Sequence, residues 1–135
     1  ETMRWELLPS MQEARYGASL LALPAQGQLL VCGGHNGTHP ISSVETFELA
    51  TRSWRPGRAM ARSHTEGATA VVAGQVYVCA GHNGSHALGT SECLDPSSTG
   101  AWQEQEMVNE PQDPLEAQGA YRGRVGAMGA VVARL

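Results

Sequence analysis

The sequence contains no lysine, a single phenylalanine and only 5% aromatic residues in 135 positions, and each scarcity narrows what the chain does. Its nine basic side chains are all arginines, scattered against 13 acidic ones for a net charge of −4. Tracking a phosphate backbone needs clustered cations, so no nucleic-acid partner is expected. No run approaches the ~20 apolar residues that cross a bilayer. The opening Glu1-Thr2-Met3-Arg4-Trp5 has neither the basic region nor the apolar stretch of a leader. A soluble chain with no membrane partner is the expectation. Three cysteines, Cys32, Cys79 and Cys93, are an odd number in a chain large enough to build a core without staples, which fits a reducing, cytoplasmic compartment. There is also no Ser-His-Asp spacing, no Gly-rich phosphate loop, no framed carboxylate pair and no Tyr/His/Cys set suited to copper. Neither an enzyme nor a cofactor is expected.

What is abundant is repetition. Val31-Cys32-Gly33-Gly34-His35-Asn36-Gly37-Thr38-His39 returns 47 positions later as Val78-Cys79-Ala80-Gly81-His82-Asn83-Gly84-Ser85-His86, with seven of nine residues identical. The same shift carries Val44-Glu45-Thr46-Phe47 onto Ser91-Glu92-Cys93-Leu94, and tryptophans recur at Trp5, Trp54 and Trp102. A Met follows each Trp by five or six positions, and an Arg with a Gly-Ala comes next: Arg15 with Gly17-Ala18, Arg62 with Gly67-Ala68, and Arg124 with Gly129-Ala130. A fixed period changes what counts as a domain.

The repeated unit reads as β-structure. Apolar runs at Ala18–Leu23 and Ala68–Ala73 end in Pro24-Ala25-Gln26-Gly27 and in Gly74, which is hairpin punctuation. Second strands follow at Gln28–Cys32 and Gln75–Cys79, apolar at nearly every residue as if covered on both faces. Third strands lie near Ser43–Leu49 and Thr90–Leu94, and fourth strands begin at Trp54 and Trp102. No helix of normal length is signalled, though Pro114–Gly119 has room for one turn. Four short antiparallel strands per period of about 47 residues make a propeller blade.

On the small-residue doublet, the Asn-Gly turn, the Val-Glu-x-Phe strand and the spaced Trp, the chain resembles kelch-repeat β-propellers. Ser42-Ser43-Val44-Glu45-Thr46-Phe47, followed by Trp54 and Met60, is most similar to the BTB-kelch (kelch-like) subgroup. The resemblance implies an all-β, kelch-type propeller fragment. Its parts are the last strand of a preceding blade at residues 1–14, complete blades at 15–61 and 62–108, and a long inter-blade loop with a first strand at 109–135. It also implies capture of a protein or peptide substrate for a cullin-RING ubiquitin ligase, with the cullin reached through a BTB region outside this chain. Other members resemble actin-associated scaffolds, and a few resemble enzymes. A ring needs at least ~4 blades, so the chain is expected to be an excerpt of a longer protein and to self-associate in isolation, its blade faces being uncovered.

Candidate binding residues fall in two loop classes. His35, Asn36, Thr38 and His39, repeated as His82, Asn83, Ser85 and His86, join second to third strands. In the family such loops lie on the partner-binding face. Their H-x-x-x-H spacing invites a metal reading, but no carboxylate or cysteine completes a set with ordinary ligand spacing, and no metal is assigned. Arg15 and Tyr16, with Arg62, Ser63 and His64, lie where one blade passes to the next. The resemblance implies that Arg15 grips acidic side chains of a partner, which a guanidinium fork suits; the competing reading is an arginine satisfying carbonyls between blades. The acidic, Pro-containing stretch from Glu106 to Arg124 reads either as a mobile connection or as an arm on the same face. The Asn-Gly pairs also match the glycosylation sequon and are open to deamidation. The tryptophans read as packing residues that fill the wedge between blades.

Overall fold

The computed structural model describes residues 4–106. Eight strands form two four-stranded antiparallel sheets. The first comprises β1 (Ser19–Leu23), β2 (Gln28–Cys32), β3 (Val44–Glu48) and β4 (Ser53–Pro56). The second comprises β5 (Ala68–Val72), β6 (Gln75–Cys79), β7 (Thr90–Leu94) and β8 (Gln103–Glu106). In each sheet the strands pair in sequence order, the meander of a propeller blade. Among the described residues, apart from a single 3₁₀ turn at Pro24–Gln26, the elements are all strands. The turn starts at proline, whose fixed φ suits it, and closes on Gly27 in the left-handed region at φ 64°.

Alternation on β1 sets the direction of packing. Ser19, Leu21 and Leu23 are buried while Leu20 and Ala22 between them are exposed, the period-two signature of a strand with one covered face. Leu21, Leu23, Leu30, Cys32 and Val44 of the first sheet form a continuous core with Met60, Val76, Val78, Leu94 and Trp102. The main apolar cluster thus lies between the blades, joining residues of both. Phe47, the one phenylalanine, is 1% exposed and meets Trp54 across the β3–β4 pair with ring centroids 5.0 Å apart.

The tryptophans clamp the segments that lead into each blade. Trp54 Nε1 donates to Pro9 O and Trp102 Nε1 donates to Arg58 O, both at 2.7 Å. In each blade the ring at the fourth strand therefore holds the joining segment that precedes that blade. Trp5 differs: it is fully exposed, and residues 4–14 form no strand, where a fourth strand was expected. A fourth strand forms against the third strand of its own blade, and no such strand lies among the described residues. Arg124, Gly129-Ala130, the helical turn at Pro114–Gly119, the strand ending at Leu135 and nearly all of the acidic insertion lie outside the described residues.

The strand-end doublet lets the blades approach. Gly33 is left-handed at φ 63°, and a Cβ there would overlap the carbonyl oxygen of His64 in the next joining segment. Gly34 N–H donates to that oxygen at 2.8 Å, and Glu66 N–H donates to Gly17 O at 2.8 Å. Backbone contact this close requires glycine.

Candidate functional site

Three kinds of segment converge at one end of the blades: the approach to β1 (residues 9–18), the connection from β4 to β5 (57–67), and the two His-Asn-Gly loops after β2 and β6. Each His-Asn-Gly loop is wired alike. Asn36 Oδ1 accepts from the backbone N–H groups of Thr38 and His39, both at 3.0 Å, and Asn83 Oδ1 accepts from Ser85 and His86 at the same distances. His35 Nδ1 accepts from Gly37 N–H at 3.0 Å and His82 Nδ1 from Gly84 N–H at 2.8 Å. An asparagine that caps its own turn and a glycine at φ 96° or 94° explain locally why this sequence makes this loop.

The loops are stitched to the joining segments by backbone pairs. Tyr16 and His35 exchange N–H···O bonds of 3.0 and 2.9 Å, and Thr65 and His82 exchange two of 2.9 Å. The Tyr16 and His35 rings lie 5.0 Å apart, with Tyr16 62% exposed. The two loops also meet each other, since a Cβ on Gly84 would stand 2.7 Å from Pro40 Cγ. The structure thus brings Tyr16, His35, Asn36, Thr38 and His39 together with His82, Asn83, Ser85 and His86 on one continuous surface.

Two expected contact residues are not on it. The Arg15 side chain is 1% exposed. Its guanidinium donates to Gly33 O at 3.0 Å, to Ser43 O at 2.9 Å, to Ser43 Oγ at 3.1 Å and to Glu45 Oε1 at 2.8 Å. Its Nη1 and Nη2 donors turn inward to carbonyls, to Ser43 and to Glu45, and its Nε is buried without a partner, the arrangement of an arginine that satisfies carbonyls within the fold. His64 is fully buried. Its Nδ1 lies 2.8 Å from Ala80 O and its Nε2 lies 3.1 Å from Glu92 Oε1. Both neighbours offer oxygen, so each ring nitrogen is engaged inside the fold and neither reaches the surface. Arg62 remains on the surface, its Nε donating to Glu104 Oε1 at 2.7 Å, with Ser63 half-buried beside it.

Sequence reasoning missed the two glutamates beneath this surface. Glu45 accepts from the backbone N–H groups of Gln12 (2.8 Å) and Glu13 (3.1 Å), and Glu92 from those of Ala61 (2.7 Å) and Arg62 (2.8 Å). Each carboxylate fixes the joining segment from below while Arg15 or His64 bonds to it from within the blade. This pairing also corrects the register of the repeat: His64, not Arg62, matches Arg15, and Arg62 matches Glu13. The signal available was the glutamate recurring in Val44-Glu45 and Ser91-Glu92 in the middle of apolar strands. Burial alone would raise the Glu92 carboxyl, but the hydrogen bonds from His64, Ala61 and Arg62 outweigh it and hold the group below the ordinary carboxylate range.

Glu13 is likewise held low, by hydrogen bonds from Asn36 Nδ2 (2.9 Å) and Ser43 Oγ (2.8 Å). Among the described residues, no three His, Cys, Asp or Glu side chains converge as metal ligands would, and no helix is long and apolar enough to cross a membrane. The surface offers hydrogen-bonding groups and the exposed ring of Tyr16.

The Kelch motif model matches residues 15–61 and 65–105. Kelch-like protein 21 of Rattus norvegicus is 41% identical over 51 residues, a match that spans 37% of this chain and 8% of that protein. A solved structure described as that of YjhT superposes with a TM-score of 0.69 at 18% identity, covering 79% of this chain and 42% of its own. That likeness is one of fold, and the chain spans less than half of either protein.

Proposed function

Since the chain belongs to the kelch-repeat family, a family of protein–protein interaction modules, we propose that it captures a protein segment on the surface built from its His-Asn-Gly loops and joining segments. The observation that carries this reading is the contiguity of that surface: Tyr16 stacks on His35, and Pro40 of one loop abuts Gly84 of the next. Tyr16, Thr38, His39, Ser85 and His86 are exposed while the backbone beneath them is pinned by Glu45 and Glu92. A rigid frame carrying exposed polar and aromatic groups loses little order on binding. The likeness to Kelch-like protein 21 and to the BTB-kelch subgroup supports a finer reading, in which the captured segment belongs to a substrate of a cullin-RING ligase.

Affinity capture with the full-length protein tests both levels. Tyr16→Ala, His35→Ala and His82→Ala should each weaken recovery of bound partners, while Thr51→Ala, at the opposite end of the blade, should not. Equal recovery by all variants would move the interface elsewhere. Recovery of a cullin with the full-length protein, unaffected by these substitutions, is the result expected of the ligase reading.

A further inference from the structure

The two His-Asn-Gly loops hold an arrangement that binding alone does not require. In the second loop, three groups surround the carboxamide of Asn83 and the backbone nitrogen of Gly84. His82 Nδ1 accepts the Gly84 N–H at 2.8 Å, so the ring carries a free lone pair aimed at that proton. Asn83 Oδ1 sits on two backbone donors, Ser85 and His86, at 3.0 Å each. Asn83 Nδ2 lies 3.2 Å from His86 Nε2, to which it donates. A base on the nucleophile's proton, two fixed N–H groups on the carbonyl oxygen and a partner orienting the amine are the parts of an acyl-transfer site.

We propose that this loop is a self-modification site, at which Asn83 deamidates with His82 as the base. His82 Nδ1 removes the proton from the Gly84 nitrogen, whose electron pair attacks Asn83 Cγ and forms a C–N bond. Negative charge passes to Oδ1, where the Ser85 and His86 N–H groups stabilise it. The Cγ–Nδ2 bond then breaks, and ammonia leaves after taking back the proton from the His82 imidazolium. The product is a five-membered cyclic imide, and one water molecule opens it to aspartate or isoaspartate. The net change is asparagine plus water to acid plus ammonia, with no oxidant or other reactant. Glycine at the attacking position, at φ 94°, leaves the approach clear of a side chain.

The first loop provides an internal comparison. Asn36 has the same base, His35, and the same pair of backbone donors. Its Nδ2, however, donates to Glu13 Oε1 at 2.9 Å, and Ser43 fixes that carboxylate in turn. An ionised carboxylate beside the carboxamide opposes the negative charge that must build on Oδ1. Arg62 holds the matching place in the second loop. Asn83 is therefore the faster site and Asn36 the protected one. If the loop surface captures a partner as proposed above, conversion of Asn83 adds a charge there, and the isoaspartate form also adds a methylene to the turn, so the loop ages the binding face.

The test follows both asparagines in the full-length protein, incubated at neutral pH in ¹⁸O-labelled water, by peptide mapping and mass spectrometry. A synthetic peptide spanning Ala80–Leu88 serves as the unfolded reference. Folded Asn83 should convert faster than the peptide by on the order of tenfold or more, the smaller end of what a positioned base supplies, and faster than Asn36. His82→Ala should bring the rate down to that of the peptide, and added imidazole should restore part of it. His82→Gln, retaining a polar side chain of similar reach, should be slow without rescue of its fold being in question. Conversion in the folded protein at or below the peptide rate overturns the proposal, as does an unchanged rate in both His82 variants. These readings do not depend on partner capture, so the two proposals fail separately.

Discussion

His64 of the second blade takes the place that Arg15 holds in the first. Arg15 reaches Gly33 O and Glu45, and His64 reaches Ala80 O and Glu92, so two different side chains close the same carboxylate pocket in successive repeats. Each pocket pins a joining segment through two backbone N–H groups. The pairs are structural supports for the loop surface, and their loss reaches it through the backbone.

Removing one partner from a buried pair strands the other, at a cost of about 3–5 kcal/mol. Arg15→Ala and His64→Ala should each lower the stability of the full-length propeller by roughly that amount, read from the urea midpoint. Arg15→Lys should recover only part of the loss, because an ammonium cannot reproduce four directed bonds to two carbonyls, a hydroxyl and a carboxylate. Equal stability for Arg15→Ala and wild type would show that the guanidinium contributes nothing.

The Glu92 pocket makes the second blade sensitive to acid. Its carboxyl is held below the ordinary range, so the folded state binds its proton less readily than the unfolded chain does. Stability from this group is fully present above the unfolded value of about 4.3 and is lost as pH falls through the lower folded value. Glu13 and Asp95 are lowered as well and act in the same direction. Glu92→Gln should be less stable than wild type at neutral pH, and the difference should shrink as pH falls below about 4. Melting temperature against pH for the two proteins checks this, and parallel curves would exclude Glu92 as a source of acid sensitivity.

The Gly33-Gly34 doublet and its altered copy Ala80-Gly81 predict opposite responses to exchange. Gly33 is left-handed, and a side chain there meets the His64 carbonyl, so Gly33→Ala combines backbone strain with overlap. It should cost several kcal/mol, at the upper end of single substitutions, or prevent folding. Ala80 already occupies the left-handed region at φ 55° with a side chain in place. Ala80→Gly relieves that strain and should stabilise by up to about 1 kcal/mol. Thermal melts of the two variants should shift in opposite directions.

The strands were legible because each rests on local chemistry. Gln28–Cys32 and Gln75–Cys79 run between turn residues and are apolar at nearly every position after the leading glutamine, and both strands have those bounds. The His-Asn-Gly loops were equally readable, since the asparagine and glycine define the turn without help from elsewhere. The carboxylate pockets were not. Arg15 and Glu45 are 30 residues apart, and nothing in a one-dimensional pattern tells a guanidinium turned inward from one turned out. Aligning Arg62 with Arg15 by residue type hid the true match, because a histidine does the same work in the second blade. Trp5 is exposed, and no third strand that could pair with its segment lies among the described residues.

Thiol chemistry offers a direct report on the closure of the two blades. Cys32 is completely buried in the core shared between them, and that burial pushes its thiol up to about 12. The thiolate is the reactive form, so at pH 8 only on the order of one in 10⁴ Cys32 side chains is available even before access is considered. Cys79, half-buried at the matching position of β6, is also raised. In the native protein a disulfide-exchange reagent should therefore modify Cys79 ahead of Cys32. Cys32 should react only as fast as the blades open, with a rate that rises with urea and rises further in His64→Ala. Prompt labelling of Cys32 at pH 8 in the absence of denaturant would mean that the inter-blade core around Leu21, Leu30 and Val78 is not closed in solution.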